Sequence, residues 1–89
     1  MRKMWTDQGW DDYTYWQNQD RKTLRKINEL VKSIERDGAD KGLGNPEKLK
    51  HNLSGWSSRE INDKDRLVYR VVSGNILEIS QCRGHYGDK

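Results

Sequence analysis

Three short segments in the second half of the chain carry side chains that can move protons and balance negative charge. They are residues 46–51, 65–69 and 83–86, and together they supply carboxylate, guanidinium, imidazole, phenol and ammonium groups. Those groups suffice for acid–base chemistry at a phosphate without a metal ion. We therefore predict a site that cleaves a phosphodiester bond.

The composition predicts one small domain spanning residues 1–89. Only 31% of the residues are apolar, and a chain of this size buries only about 60% of its unfolded surface. We therefore expect modest stability, or stability borrowed from a partner. The net charge of +3 does not by itself indicate nucleic acid, but residues 21–36 hold six basic and two acidic side chains. Such a patch is typical of a phosphate-binding surface.

Several classes of protein are disfavoured by the sequence. Cys82 is the single cysteine, so an internal disulfide is impossible and a reducing compartment is expected. The spacings that hold zinc are absent, so we predict no metal and no cofactor. No apolar run approaches the ~18 residues that span a bilayer, and the N-terminus lacks the apolar core of a signal peptide. We expect a soluble cytoplasmic protein without a membrane partner.

The first elements should be a short strand and a helix. Residues 3–6 are compatible with an opening strand, and Thr6 or Asp7 can cap the helix that follows. Spacing predicts that Asp11 and Asp12 face solvent. A spacing of three predicts one aromatic helix face, formed by Trp10, Tyr13 and Trp16.

A second helix should begin after Asp20, whose carboxylate can accept hydrogen bonds from free backbone N–H groups. Gly38 is a suitable end for this helix. Residues 37–46 contain three glycines and the only proline, which predicts a loop. The apolar stripe of the second helix consists of Leu24, Ile27, Leu30, Val31 and Ile34.

After the loop the hydrophobic period changes to two, which indicates strands. We predict strands at residues 56–61, 66–72 and 76–83, joined by turns at residues 62–65 and 73–75. The predicted fold class is α+β, with two N-terminal helices packed on one face of a small twisted, mostly antiparallel sheet.

Five motifs in chain order resemble the YoeB-type toxins of the RelE/ParE toxin–antitoxin superfamily, and the resemblance extends from Trp5 to Tyr86. The motifs are WDDYTYW at residues 10–16, KINEL at 26–30, PEKLKHNLSG at 46–55, RLVY at 66–69 and CRGHY at 82–86. The resemblance implies a RelE-like fold and a ribosome-dependent endoribonuclease. Such an enzyme cuts mRNA in the ribosomal A site through attack by the RNA 2′-hydroxyl, and so inhibits translation.

The resemblance also implies partners. A YefM-type antitoxin would neutralise the toxin and repress the shared operon, so that operator DNA is bound only through the toxin–antitoxin complex. We expect the antitoxin to displace residues 85–86, because few residues follow to anchor them. The sequence leaves open whether the toxin also forms a homodimer.

Glu47 is the candidate general base, since a carboxyl with a reference pKa of ~4.3 is ionised at neutral pH. The alternative is a carboxylate that follows Pro46 at a helix N-terminus. Arg66 is the candidate phosphate clamp, because a guanidinium stays charged and can bind two oxygens. Its alternative is a surface arginine paired with Asp65 or Glu60.

His85 is the candidate general acid, since its reference pKa of ~6.5 lies near neutrality. A solvated histidine near the C-terminus is the alternative. Tyr86 can stack on a base or donate its hydroxyl, unless it merely caps the core. Cys82 is interpreted as buried core rather than a nucleophile. The candidate RNA-binding residues are Lys50, His51, Arg59 and Arg83.

Two positions depart from the family pattern. Glu60 stands where the family often has a second basic residue, and Asp65 where it often has histidine or another acid–base residue. Both changes lower the local positive charge. Residues 87–89 extend beyond the tyrosine at which relatives often stop. Two other functions stay open: a ParE-like gyrase poison, and a noncatalytic binding module of the same fold.

Overall fold

The computed structural model describes residues 1–85 and contains two helices against one face of a five-stranded sheet. The sheet order is β1-β5-β4-β3-β2; β1 runs parallel to β5, and the other neighbours are antiparallel. The predicted α+β fold is therefore confirmed. In chain order the elements are β1 (Arg2–Trp5), α1 (Asp7–Gln19), α2 (Arg21–Asp37), β2 (Glu47–Lys48), a 3₁₀ turn (His51–Leu53), β3 (Ser57–Glu60), β4 (Arg66–Val72) and β5 (Ile76–Gln81).

Thr6, one of the two predicted caps, precedes helix α1. The Thr6 side chain accepts a hydrogen bond from the Gly9 N–H at 3.0 Å. The helix lies so close to β5 that a Cβ on Gly9 would sit 2.5 Å from the carbonyl oxygen of Ile79. The prediction that both aspartates of this helix face solvent is confirmed for Asp11 and wrong for Asp12, which is buried. Asp12 shares the buried helix stripe with Gly9, three residues earlier.

Helix α2 has the predicted caps. Asp20 accepts hydrogen bonds from the N–H groups of Lys22 and Thr23, and Gly38 ends the helix with a φ of 98°. Four of the five predicted apolar residues are buried, whereas Leu24 is only half-buried. The core that α2 covers is lined from the sheet by Leu67, Tyr69, Leu77, Ile79 and the following Cys82.

Strands β3 and β4 confirm the change of period. β4 covers the predicted residues 66–72, whereas β3 is shorter than residues 56–61 and β5 ends before residue 83. β2 was not predicted, because two residues carry no periodic signal. Val68 is buried although it lies on the helix-free face. Within the described part of the chain, no helix is long and apolar enough to cross a membrane.

Candidate functional site

The helix-free face of the sheet carries two of the predicted catalytic residues. Directly paired residues of antiparallel strands point to the same face. Glu47 pairs with Ser58, and Arg66 pairs with Glu60, two residues further along the same strand β3. Glu47 and Arg66 therefore share one face, on strands that lie about 10 Å apart because one strand separates them. Two long side chains across that gap can approach one ribose phosphate from two sides.

Glu47 opens the edge strand β2 and is exposed. The helix-terminal alternative for this carboxylate is therefore wrong. Lys50 and His51 are exposed nearby, and together with Glu47 they line a cleft of about 410 Å³. His51 has a φ of 58°, in the left-handed region that few non-glycine residues adopt. Such backbone strain is often found at functional sites.

Arg66 is half-buried at the start of β4. Its guanidinium donates to the carbonyl oxygens of Asn62 at 2.6 Å and Asp65 at 3.1 Å. Among the described residues, no salt bridge joins Arg66 to Asp65 or Glu60. The turn before β4 therefore orients the guanidinium through neutral carbonyl groups rather than through a salt bridge.

His85 is half-buried and lines a cleft of about 630 Å³ between α1, the turn at residues 62–65 and residues 83–85. The segment that leads to it is anchored. The Cys82 N–H donates to the Asp12 carboxylate at 3.0 Å, and the Trp16 indole donates to the Cys82 carbonyl at 2.8 Å. Gly84 is held by Asp65 and by the Arg66 backbone. Tyr86 lies outside the described residues.

Residues 82–84, which precede the segment that we expect the antitoxin to displace, are therefore firmly anchored. After β5 ends at Gln81, the next backbone groups are bound by the side chains of Asp12, Trp16 and Asp65 and by the N–H of Arg66, the first residue of β4. Burial raises the pKa of the Cys82 thiol, and the nearby Asp12 carboxylate raises it further. The thiol is therefore core, as predicted, and has no thiolate character.

Arg83 lines the same cleft as His85 and is exposed. Its guanidinium carbon lies 3.6 Å from the centroid of the Tyr15 ring, which is a cation–π geometry. This position leaves the charge available to a phosphate while the side chain is held against α1.

Arg59 does not fit the predicted RNA-binding set, because it is fully buried. It pairs with Leu67 and points to the helix side of the sheet. Its guanidinium donates to the carbonyl oxygens of Gly38 at 2.8 Å, Lys41 at 2.6 Å and Leu43 at 3.0 Å, all in the loop after α2. The remaining donors bind two hydroxyl groups, of Ser33 and Tyr69. Arg59 therefore fixes a loop rather than contacting a ligand.

The predicted site residues thus form two groups on neighbouring surfaces. Glu47 lies with Lys50 and His51, and Arg66 lies beside the His85 segment. Sequence reasoning did not give a role to Asn62 or to the buried Asp12. The signal that could have revealed the burial of Asp12 is its position three residues after Gly9 and four before Trp16, which places all three on one helix face. Within residues 1–85, no three His, Cys, Asp or Glu side chains are grouped to hold a metal ion.

Known proteins resemble this chain over nearly its whole length. Residues 5–86 match the model of the YoeB-like toxin of bacterial type II toxin–antitoxin systems. Toxin YoeB of Escherichia coli (strain K12) is 49% identical over 86 residues, which cover 97% of this chain and 100% of that toxin.

Solved structures agree with the sequence match. The YoeB dimer from Staphylococcus aureus has a TM-score of 0.90 at 49% identity, covering 97% of this chain and 98% of that chain. The heterotetrameric YoeB–YefM toxin–antitoxin complex from Staphylococcus aureus has a TM-score of 0.89 at 48% identity, with the same coverage. From its sequence and its fold alike, this chain belongs to the YoeB-like toxins of bacterial type II toxin–antitoxin systems.

Proposed function

We propose that this toxin is an endoribonuclease that cleaves mRNA in the ribosomal A site and thereby inhibits translation. One observation carries the proposal. Glu47 and Arg66 share the open face of the sheet, and the backbone of Arg66 is bonded to Gly84, next to His85. The proposed base and clamp therefore lie on two strands of one sheet, and the segment that leads to the proposed acid is bonded to the strand of the clamp.

Cleavage then needs no atom beyond the RNA and these side chains. The Glu47 carboxylate accepts the proton of a ribose 2′-hydroxyl, and the 2′ oxygen forms a bond to the adjacent phosphorus. The bond from phosphorus to the 5′ oxygen breaks, leaving a 2′,3′-cyclic phosphate. His85 donates a proton to the departing oxygen. Arg66 donates hydrogen bonds to the non-bridging oxygens, whose negative charge increases in the transition state.

Other side chains bind the message in this proposal. Lys50 and His51 lie beside Glu47, and Arg83 lies beside His85, so all three are placed to contact the RNA backbone. Tyr86 stacks on a base, an interaction worth roughly 1–3 kcal/mol.

The ribosome is part of the proposed reaction. Glu60 lies opposite Arg66 on the open face, so an acidic side chain weakens the positive potential beside the clamp. Binding of free RNA depends mainly on phosphate contacts with Lys and Arg. The ribosome would supply alignment of the message, which lowers the barrier without requiring tight binding by the toxin.

The test uses purified toxin, ribosomes with an empty A site and a defined message. We expect cleavage in the A-site codon and a 2′,3′-cyclic phosphate end, with far slower cleavage of the naked message. Glu47→Ala, Arg66→Ala and His85→Ala should each lower the rate by about 10²–10⁴-fold. The controls Glu29→Ala and Arg2→Ala change exposed charges on α2 and β1.

Wild-type rates in folded Arg66→Ala or His85→Ala protein would refute these roles. Cleavage of naked message as fast as on ribosomes would refute ribosome dependence. An uncut message together with inhibition of DNA supercoiling would instead assign the chain to gyrase poisons.

We further propose a YefM-type antitoxin as the cognate partner, because the Staphylococcus aureus YoeB relative forms a complex with YefM. The complex would mediate binding to operator DNA. A homodimer is proposed from the YoeB dimer of the same organism. A partner that binds only the folded toxin would stabilise it by mass action.

Co-expression of toxin and antitoxin should restore growth and raise the melting temperature. Displacement of residues 85–86 by the antitoxin would have to break or bypass the bonds at Gly84. Hydrogen exchange measured with and without antitoxin decides this: faster exchange of the Gly84 amide in the complex supports displacement, and unchanged or slower exchange supports simple covering of the site.

A further inference from the structure

We propose that Asp65 is a positioning residue of the cleavage reaction, which holds the segment bearing His85 against the turn bearing Arg66. The inference rests on the proposed function, since it concerns the acid and the clamp of that reaction. It assigns a role to the residue that departs from the family pattern at this position.

Gly84 is bound at both of its backbone polar groups by two consecutive residues. Its N–H donates to the Asp65 carboxylate at 2.7 Å, and its carbonyl accepts from the Arg66 N–H at 2.9 Å. A hydrogen bond of this length to an ionised acceptor belongs to the stronger class. The two bonds fix the peptide groups on both sides of Gly84, and the second of these groups continues directly into His85.

Asp65 is itself held in place by other contacts within the turn. Its second carboxylate oxygen accepts from the Asn62 side-chain amide at 3.0 Å. The Asn62 side-chain oxygen accepts from the backbone N–H groups of Lys64 and Asp65, each at 2.8 Å. Both oxygens of the Asp65 carboxylate are therefore engaged, and the turn has little freedom to move away from Gly84.

The same turn orients the clamp. The Arg66 guanidinium donates to the carbonyl oxygens of Asn62 and Asp65. Hydrogen bonds across residues 62–66 therefore hold the guanidinium and the backbone that leads into His85 against the same turn. Gly84 has a φ of 79°, a left-handed conformation in which a residue with a side chain would be strained. Glycine at this position therefore favours the bend that leads into His85.

A mere turn-stabilising role for Asp65 makes different predictions from a positioning role. If Asp65 only stabilises the turn, its loss lowers the melting temperature and leaves kcat unchanged in the folded protein. If it positions His85, its loss lowers kcat in folded protein while KM for the ribosome changes little. Misplacement of a reacting group by about 1 Å can cost about 10²-fold in rate.

The experiment compares Asp65→Ala, Asp65→Asn and the control Asp63→Ala in the ribosomal cleavage assay. Asp63 lies in the same turn and is exposed, so its loss removes the same charge without breaking the bond to Gly84. We expect Asp65→Ala to lower kcat about 10²-fold with KM within a factor of about three. Asp65→Asn keeps one oxygen acceptor for the Gly84 N–H but loses the acceptor for the Asn62 amide, so it should recover part of the rate. Asp63→Ala should behave as wild type.

A double-mutant cycle that combines Asp65→Ala with His85→Ala tests this inference separately from the proposed function. Because Asp65 acts through His85, adding Asp65→Ala to His85→Ala should cost no further activity. An additional loss of the full 10²-fold would contradict the inference. If His85→Ala alone retains full activity, the proposed role of His85 as the general acid fails instead, whereas an uncut message with the wild-type protein would refute the proposed function.

A wild-type kcat for folded Asp65→Ala, beside an inactive His85→Ala, overturns the positioning role alone. Hydrogen exchange of the wild-type protein keeps the inference testable even if Asp65→Ala does not fold. The Gly84 amide should be protected, and exchange at the rate of an unstructured peptide would exclude a lasting bond to Asp65.

Discussion

The buried Arg59 allows a quantitative prediction of stability. Replacement by Met keeps a long, flexible side chain that a buried position in β3 can accommodate, but removes every donor. Six hydrogen bonds are lost, four of them to loop carbonyl oxygens. The Ala39 carbonyl keeps a bond from the Tyr69 hydroxyl, so the carbonyls of Gly38, Lys41 and Leu43 are the three that lose a donor. The loop after α2 then keeps its bonds to the Tyr69 and Ser33 hydroxyls but loses the side chain that joins three of its carbonyl groups.

The expected cost follows from the groups left behind. A buried acceptor without a donor costs about 1–3 kcal/mol. Because water can reach part of this loop, the lower value is appropriate, and three carbonyls give about 3 kcal/mol. A protein of 89 residues has a total stability of about 4–13 kcal/mol at the usual value per residue. Since 1 kcal/mol shifts the melting temperature of such a domain by about 4–8 °C, we expect a decrease of at least ~12 °C.

Urea unfolding followed by tryptophan fluorescence measures this change, since the chain has four tryptophans. The control is Arg25→Met on the exposed side of α2, which should stay within about 0.5 kcal/mol of the wild type. Arg59→Lys should be intermediate, because one ammonium cannot reproduce the planar fork of a guanidinium.

The result that refutes this reasoning is equal stability of the two Met variants. In that case the loop carbonyls would be satisfied by water at no net cost. An Arg59→Lys variant as stable as wild type would show that a charge at this position suffices and that the geometry of the donors is unimportant.

Three further predictions test the packing and the titrating groups. Gly9→Ala should lower the melting temperature, although Gly→Ala usually stabilises a helix by about 0.5–1 kcal/mol, because the new Cβ would meet the Ile79 carbonyl; a rise would show that α1 can shift. The Cys82 thiol, with its raised pKa, should react with a disulfide reagent at pH 8 only in denaturant, and rapid reaction of the native protein would contradict its burial. Hydrogen bonds from the side chain and backbone of Thr23 lower the pKa of Asp20, so its stabilising effect is present above the unfolded pKa and is lost as pH falls through the lower folded value. Asp20→Asn should therefore lose less stability than wild type between pH 6 and pH 3 in urea unfolding, and an equal loss would argue against this cap.

The sequence predicted the parts of the fold that have a periodic or capping signal. Asp20 and Gly38 bound α2 because side-chain oxygens favour the start of a helix and glycine its end. Strand β4 was recognised from alternation over seven residues. β2 has two residues and depends on pairing with β3, a contact that no local pattern reveals.

The errors at the candidate site share a physical cause. Arg59 is predicted to bind RNA and Asp12 is predicted from helical spacing to face solvent, yet both are among the rare buried charged residues. Each is buried because backbone groups from distant segments satisfy it: loop carbonyls for Arg59 and the Cys82 N–H for Asp12. Those partners depend on the tertiary fold. The assignments of Glu47, Arg66 and His85 came from motif resemblance, and they remain predictions about chemistry.

The parallel pairing of β1 with β5 has a consequence for the order of events during synthesis. Arg2–Trp5 pairs with residues 76–79, so β1, which is synthesised first, cannot pair until β5 has been synthesised. Contacts of such long sequence separation form slowly, because the loop between them must close first. The growing chain therefore cannot complete its sheet, or bring Arg66 beside His85, until β5 has left the ribosome that is making it. Under the proposed function, the cleavage site would therefore assemble only after residues 76–85 have been synthesised and released from the ribosome that makes them.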